Sequence, residues 1–240
     1  MGIELQRMRS LGIYLSYTSN LAPVAWVEGE LLDALFQARI YVTALGEGSA
    51  GYSTHNQRAG MVLDDEVTPT LALTSIHTMA SLGLGSPATR PQRVLTGPAY
   101  FGYSFVVRQD GAQAVHGPGL TPRHLPNTNG TQTVVLALWS RDAEYAAPTQ
   151  VSVTLPSQQG QLRDVVDVSA INQFGNGMSV ALNHSTLAFA IDRALMYLVF
   201  PTSPTQTLPQ ILDVVDAVAD ALGRLDSATA PTRQAASSWW

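Results

Sequence analysis

The hydrophobic pattern of the chain changes its period near residue 90, and this change constrains the fold more than any other feature. Before it, apolar residues recur near helical spacing. After it, short runs of apolar and β-branched residues with a period near 2 are separated by turn residues such as Gly, Pro and Asn. The pattern predicts an α+β, mainly β fold, in which a short α/β segment precedes an antiparallel β-sandwich or barrel.

The segment before the change predicts an alternation of strands and helices. Residues 11–16 form a short apolar run that is typical of a buried parallel strand. Residues 28–45 predict a helix that ends at Gly46, and Thr68-Pro69 predicts the start of a second helix that runs to about Leu82. A strand, a helix, a second strand and a second helix in this order indicate the edge of a parallel α/β structure.

We expect three parts along the chain. A Pro- and Arg-rich stretch at residues 86–93 predicts a linker. The parts are residues 1–90, a short α/β segment, residues 91–202, the β-sandwich domain, and residues 203–240. The last part predicts an amphipathic helix over residues 208–225, followed by a disordered polar tail.

Strands are predicted throughout the middle part. Gln109-Asp110-Gly111 indicates a hairpin, and Asn176-Gly177 indicates a turn. The predicted strands cover residues 100–108, 112–116, 133–140, 150–155, 162–170, 178–183 and 195–200.

The composition argues against several classes of partner and of functional site. All 13 basic residues are Arg, the net charge is -5 and there is no basic run, so we expect no nucleic-acid partner. The absence of Cys removes disulfides, thiolate metal sites and cysteine nucleophiles. The apolar runs are too interrupted for a membrane span, so we expect a soluble chain without a membrane partner. The start of the sequence lacks a secretory signal pattern, which fits a cytoplasmic protein or a late start, and localisation stays open.

Several motifs occur in an order that resembles a known family. They are the runs at residues 133–141 and 164–168, the turn at Asn176-Gly177 and the closing run at residues 194–201. Together they resemble the C-terminal sandwich of retaining (β/α)8-barrel glycoside hydrolases. Upstream, residues 37–39, 44–46 and 69–82 resemble the last two β/α units of such a barrel. The resemblance covers about residues 10–201 and is carried mostly by packing residues.

The resemblance implies a carbohydrate-active protein, but not a complete enzyme. In this family the motif residues close the sandwich and pack it on the barrel. A full barrel needs roughly 250 residues, whereas about 90 precede the sandwich here. We therefore expect a barrel remnant without a complete catalytic pair. The family's nucleophilic Glu ends the seventh strand, and if residues 11–16 are that strand, its place falls near Tyr17.

Retaining glycosidases need two carboxyl groups roughly 5 to 5.5 Å apart. Glu28 starts a predicted helix, where the helix dipole alone explains an acid. Glu47 follows a helix in a Gly-rich stretch, where the general polarity of loops favours a solvated acid over a catalytic one. The catalytic candidates are Tyr17, Glu28 and Glu47, and the substrate-binding candidates are Tyr52, His55 and Asn56.

The sequence predicts neither a metal site nor a cofactor. The five His residues are scattered without ligand spacing. The acids at residues 64–66 precede a helix start, which explains them without a cation. Gly46, Gly48 and Gly51 follow a helix rather than a strand, so they do not indicate dinucleotide binding.

Two other functions remain open at this stage. The first is a non-catalytic carbohydrate-binding or interaction module, which requires exposed coplanar aromatic rings. The alternating aromatics at residues 100–105 could supply such rings on one face of a strand, although core packing is the favoured explanation. The second is a jelly-roll assembly subunit that forms symmetric oligomers. A barrel remnant also predicts an uncovered apolar edge near residues 11–45, and hence a partner chain or an oligomer that covers it.

Overall fold

The structure is a computed structural model, and it describes residues 26–48, 70–84, 89–96, 100–108, 132–140, 148–155, 167–183 and 185–236. This part of the chain forms three helices and nine strands. In chain order they are α1 (Trp26–Gly46), α2 (Leu71–Ser81), β1 (Thr89–Thr96), β2 (Tyr100–Arg108), β3 (Gln132–Ser140), β4 (Thr149–Thr154), β5 (Ser169–Asn172), β6 (Gly177–Met178), β7 (Ala181–Asn183), β8 (Thr186–Ile191), β9 (Met196–Pro201) and α3 (Leu208–Ala236).

The strands form two antiparallel sheets. The larger sheet has the order β1-β2-β3-β9-β5-β6, and the smaller has the order β4-β8-β7. Strand β3 pairs with β2 over its whole length, from Gln132 opposite Arg108 to Ser140 opposite Tyr100, and its other edge pairs with β9. The predicted α+β, mainly β fold is confirmed.

The centre of the larger sheet is buried on both faces, and β3 and β9 are accordingly apolar at nearly every position. Val134, Leu136 and Leu138 of β3 belong to one hydrophobic cluster, which also contains buried residues of the smaller sheet and of α3. Val135, Ala137 and Trp139 point to the opposite face, where the second cluster includes residues of α1 and α2. A strand covered on both faces shows a continuous apolar run instead of an alternation, and β3 has that run.

The smaller sheet shows the pattern of a sheet with one covered face. Along β4, Val151 and Val153 are buried, while Gln150, Ser152 and Thr154 are exposed. Along β8, Leu187, Phe189 and Ile191 are buried with the same period of 2. The buried positions all belong to the cluster shared with the larger sheet and α3. The two sheets therefore share one hydrophobic core.

Helix α1 matches the helix predicted over residues 28–45. It begins two residues earlier and ends one residue later than predicted. Helix α2 begins later than predicted. Its N-cap is Thr70, whose Oγ1 accepts a hydrogen bond from the backbone N–H of Leu73 at 3.3 Å, and not Thr68. Both residues are Thr, so residue type alone does not decide which of them caps the helix.

The linker predicted at residues 86–93 is wrong from residue 89 onward, because Thr89–Thr96 forms strand β1. This strand pairs with β2, and its register shifts between Pro91 and Arg93. Proline removes a backbone donor and is tolerated in edge strands and at bulges. Strand β1 is an edge of the larger sheet, so it accommodates Pro91.

Other strand predictions need smaller corrections. The strand predicted over residues 178–183 is divided between β6 in the larger sheet and β7 in the smaller one. Of the strand predicted over residues 162–170, the last two residues lie in β5, and residues 162–166 lie outside the described residues. Strand β8 was not predicted. The predicted strands at residues 11–16 and 112–116 also lie outside the described residues.

The C-terminal helix extends further than predicted. It starts at Leu208, as expected, but continues to Ala236, so the polar tail predicted to be disordered is helical up to that residue. Its buried stripe of Ile211, Val215, Val218 and Leu222 packs into the cluster shared by the two sheets. No helix in the described part of the chain is long and apolar enough to cross a membrane.

Candidate functional site around Glu47

The structure describes the side chain of one predicted catalytic residue, Glu47. It lies directly after α1, and its backbone N–H donates to the carbonyl of Thr43 at 2.9 Å. Glu28 lies in the first turn of α1, and its side chain is outside the described residues. The remaining candidates, Tyr17, Tyr52, His55 and Asn56, also lie outside the described residues.

The length of α1 separates the two predicted carboxylates. Glu28 is near the first residue of this helix and Glu47 follows its last residue, 19 positions later. A helix rises 1.5 Å per residue, so the two backbones are about 28 Å apart along the axis. A retaining pair needs carboxyl groups roughly 5 to 5.5 Å apart. Glu28 and Glu47 therefore do not form such a pair.

Glu47 is held by a tyrosine from the larger sheet. The hydroxyl of Tyr103 donates a hydrogen bond to Glu47 Oε1 at 2.9 Å. Burial raises the pKa of Tyr103, and the hydrogen bond to Glu47 and the charge of Glu47 raise it further, while a hydrogen bond with Thr43 acts in the opposite direction. Tyr103 therefore stays protonated at neutral pH and acts as a donor to the carboxylate.

Tyr103 is fully buried in an aromatic group on the helix-facing side of the sheet. It lies opposite Ala137 in the pairing of β2 with β3. Its ring centroid is 5.5 Å from that of Phe101 and 6.3 Å from that of Trp139. Rings at these distances stabilise one another beyond the area that they bury. The sheet thus fixes Tyr103, and Tyr103 fixes the end of α1.

Close packing against this ring explains Gly46. A Cβ atom added at Gly46 would overlap the Tyr103 ring at Cδ1, Cγ and Cε1. Because the ring is buried among other rings, it cannot move aside without disturbing its own packing. The sequence suggested that Gly46 ends a helix, and the structure adds that a glycine is required there for contact with the sheet.

We expect Gly46→Ala to lower the free energy of unfolding by about 1–3 kcal/mol, the usual cost of overpacking. Urea denaturation of the full chain measures this change. The matched control is Gly223→Ala, since Gly223 lies within α3 and an added Cβ there has no neighbour within 4 Å. At that position alanine should stabilise the chain by about 0.5–1 kcal/mol through helix propensity. Equal effects at both positions would contradict the proposed contact.

Arg39 fastens α1 to the sheet at a second point. Its Nη2 donates to the carbonyl of Arg193 and, at 3.4 Å, to the carbonyl of Ser140. The pKa of Arg39 is lowered to about 10, mainly by burial and also by the charge of Arg193, while Asp192 acts in the opposite direction. Arg39 thus joins the middle of α1 to the end of β3 and to the connection between β8 and β9.

The geometry around Glu47 fits a structural role better than a catalytic one. A Tyr nucleophile is known in sialidases, but Tyr103 has no exposed surface, so a substrate cannot reach its hydroxyl. A search of the described residues finds no group of three or more His, Cys, Asp or Glu side chains that could hold a metal ion. In the described part, Glu47 and Tyr103 join a helix end to a sheet.

Sequence reasoning found Glu47 but not its partner. Tyr103 and Glu47 are 56 residues apart, and no local pattern pairs them. The alternation of Tyr103 with Phe105 did indicate a buried face, and core packing is confirmed for both. Tyr100 packs in the other cluster, so the second face of this strand is also buried. Arg39 belongs to one of the motifs of the family resemblance, and in the structure it donates hydrogen bonds to the carbonyls of Ser140 and Arg193.

Comparisons with known proteins give little further information. No protein-family model matches the chain, and no curated protein matches it. A similar solved structure is described as a family 39 glycoside hydrolase from the gut symbiont Bacteroides cellulosilyticus WH2, with a TM-score of 0.44 and 17% sequence identity. The alignment covers 71% of this chain and 30% of that chain, so this chain spans less than a third of its length. A likeness at this level establishes neither a shared fold nor a shared function.

Proposed function

We propose that the chain is the C-terminal portion of a carbohydrate-active protein of the glycoside hydrolase type, without a complete catalytic pair. In this proposal α1 and α2 are the helices of the barrel remnant. The larger sheet is the layer of the β-sandwich that packs on them. The smaller sheet is the second layer of the sandwich.

The observation that carries the proposal is the contact between α1, α2 and one face of the larger sheet. Tyr103, Trp139 and Tyr197 lie on this face, and Ala38 of α1 and Met79 of α2 belong to the same cluster. The family resemblance implies that the motif at residues 133–141 packs the sandwich on barrel helices. Trp139 belongs to that motif, and its contact with the helix layer supports this role.

The position of Glu47 supports the part of the proposal that says this portion does not catalyse hydrolysis by itself. Its carboxylate accepts a hydrogen bond from the buried Tyr103, and Glu28 is a helix length away. A lone supported carboxylate can orient a neighbouring group, but retaining hydrolysis requires two carboxyl groups. We therefore assign Glu47 a structural role at the contact between helix and sheet.

A carbohydrate-binding module is the weaker candidate. Such a module needs exposed aromatic rings that stack on sugars. Among the described side chains, the large hydrophobic residue that is exposed is Leu182, which is not aromatic. The aromatic residues of β2, β3 and β9 are buried or half-buried in the two clusters. The described surface therefore offers no stacking platform.

An activity and binding assay tests the proposal. We expect the purified chain to release no 4-nitrophenol from aryl glycosides above the buffer rate, and to migrate unretarded in gels that contain soluble polysaccharide. Retardation without hydrolysis would favour the binding module instead. Hydrolysis that is lost in Glu47→Gln but kept in Asp213→Asn, a change on the polar side of α3, would show that Glu47 is catalytic and would overturn the proposal.

A further inference from the structure

The boundary between the helix layer and the larger sheet contains buried polar atoms that lack a hydrogen-bond partner in the described part of the chain. They include Gln37 Oε1, Gln173 Nε2 and the hydroxyl of Tyr197. Gln37 is 5% exposed, and the other two residues are 0% exposed. Buried polar atoms are almost always hydrogen-bonded in native proteins, so these three atoms require an explanation.

Gln173 and Tyr197 occupy neighbouring positions on the sheet. Tyr197 lies opposite Ile171 in the pairing of β5 with β9, and Gln173 follows two residues after Ile171. The Oε1 atom of Gln173 accepts a hydrogen bond from the backbone N–H of Leu195 at 3.1 Å. Leu195 and Tyr197 both belong to the cluster that faces the helices. Gln173 therefore lies on the same face of the sheet as Ile171 and Tyr197, at the next position along the strand on that face.

Gln37 is a buried residue of α1, beside the part of this helix that packs on the sheet. It precedes Ala38, which is fully buried in the helix-facing cluster. Two residues later, Arg39 donates to the carbonyl of Arg193, in the connection that leads to Leu195. This part of α1 is thus held close to the strand that carries Tyr197.

The three atoms have complementary hydrogen-bonding chemistry. Gln173 Nε2 only donates, Gln37 Oε1 only accepts, and a tyrosine hydroxyl does both. Burial raises the pKa of Tyr197, so its hydroxyl is neutral and can donate at physiological pH. A water molecule accepts from a donor and donates to acceptors at the same time. Internal waters typically make about three such bonds to buried polar groups.

We propose that an internal water molecule is bound between the helix layer and the larger sheet, where it accepts from Gln173 Nε2 and hydrogen-bonds the Tyr197 hydroxyl. Gln37 Oε1 is the acceptor on the helix side. The site fixes the helix layer to the sheet through polar contacts that the aromatic cluster does not provide. The inference concerns packing and is independent of the proposed function.

Paired Tyr→Phe substitutions in the full chain test the proposal. Tyr103→Phe is the matched control because its hydroxyl has a known partner in Glu47. Losing a satisfied hydroxyl destabilises a protein, whereas losing an unsatisfied buried hydroxyl does not. We expect Tyr197→Phe to lower the Tm by about 2–4 °C, in the same direction as the control. A Tm that rises or stays unchanged in Tyr197→Phe would overturn the proposal.

A second measurement distinguishes water from a direct contact. In ¹⁵N-labelled chain, the side-chain amide of Gln173 should show a nuclear Overhauser effect to a long-lived water, and Tyr197→Phe should weaken it. If Tyr197→Phe lowers the Tm but the wild-type amide shows no effect to water, Tyr197 bonds directly to a protein group such as Gln37. That outcome would refute the water site while leaving the polar boundary in place.

Discussion

Phe200→Ala is expected to lower the free energy of unfolding by about 3–5 kcal/mol, the usual cost of removing a large buried aromatic side chain. Phe200 is 0% exposed and lies on β9, opposite Val134 of the neighbouring strand β3. It belongs to the cluster that joins both sheets and α3. The substitution therefore opens a cavity where three layers meet, and urea denaturation measures the loss.

Leu182→Ala provides the control for this prediction. Leu182 lies on β7 and is 42% exposed, so little apolar surface is lost when its side chain is shortened. We expect a change within about 0.5 kcal/mol, as for most surface substitutions. A similar small change in Phe200→Ala would mean that the two sheets do not share a closely packed core.

Gln206→Ala is expected to cost about 2–4 kcal/mol, because three hydrogen bonds at about 1 kcal/mol each depend on this side chain. Gln206 Oε1 accepts from the backbone N–H of Asp167 at 2.7 Å. Its Nε2 donates to the carbonyls of Asp167 at 3.1 Å and Pro201 at 2.8 Å. The residue is 2% exposed, so water cannot easily replace these bonds.

The same substitution four residues later serves as the comparison. Gln210 Oε1 accepts from the backbone N–H of Thr207 at 2.7 Å, at the start of α3. This is one half of a capping box at an exposed helix end, where the loss should be about 0.5–1 kcal/mol. If Gln210→Ala costs as much as Gln206→Ala, the connection from β9 to α3 is not held by Gln206 as described.

The elements that the sequence predicts best are those whose local pattern and burial agree. Helix α1 combines helical spacing with a terminal glycine, and its predicted limits differ from the observed ones by one or two residues. Strand β2 was predicted with its observed limits, and β3 and β9 within one residue at each end. Each has an apolar run of strand length bounded by turn residues, so no tertiary information was needed.

Tertiary pairing explains most of what the sequence did not predict. Strand β1 contains Pro91 and charged residues, and it becomes a strand because β2 offers a free edge. The division of residues 177–183 between two sheets depends on partners elsewhere in the chain. Strand β8 is different, because its buried Leu187, Phe189 and Ile191 alternate visibly and were predictable.

The candidate site shows the same division between local and distant information. Glu47 was identified from its position in a Gly-rich stretch after a helix. Its contact with Tyr103 joins residues 56 positions apart, and no spacing rule connects them. The separation of Glu28 from Glu47 was implicit in the predicted helix, since a continuous helix between two acids keeps them far apart.

A crystal structure of the full chain, inspected at the carboxylate of Glu47, would decide whether this carboxylate has a catalytic partner. We expect Glu47 to accept a hydrogen bond from Tyr103 and no second carboxyl group to lie within about 6 Å of it. A carboxyl group at roughly 5 to 5.5 Å from Glu47, facing an open cleft, would be the geometry of a retaining glycosidase. That result would contradict the claim that the chain lacks a complete catalytic pair.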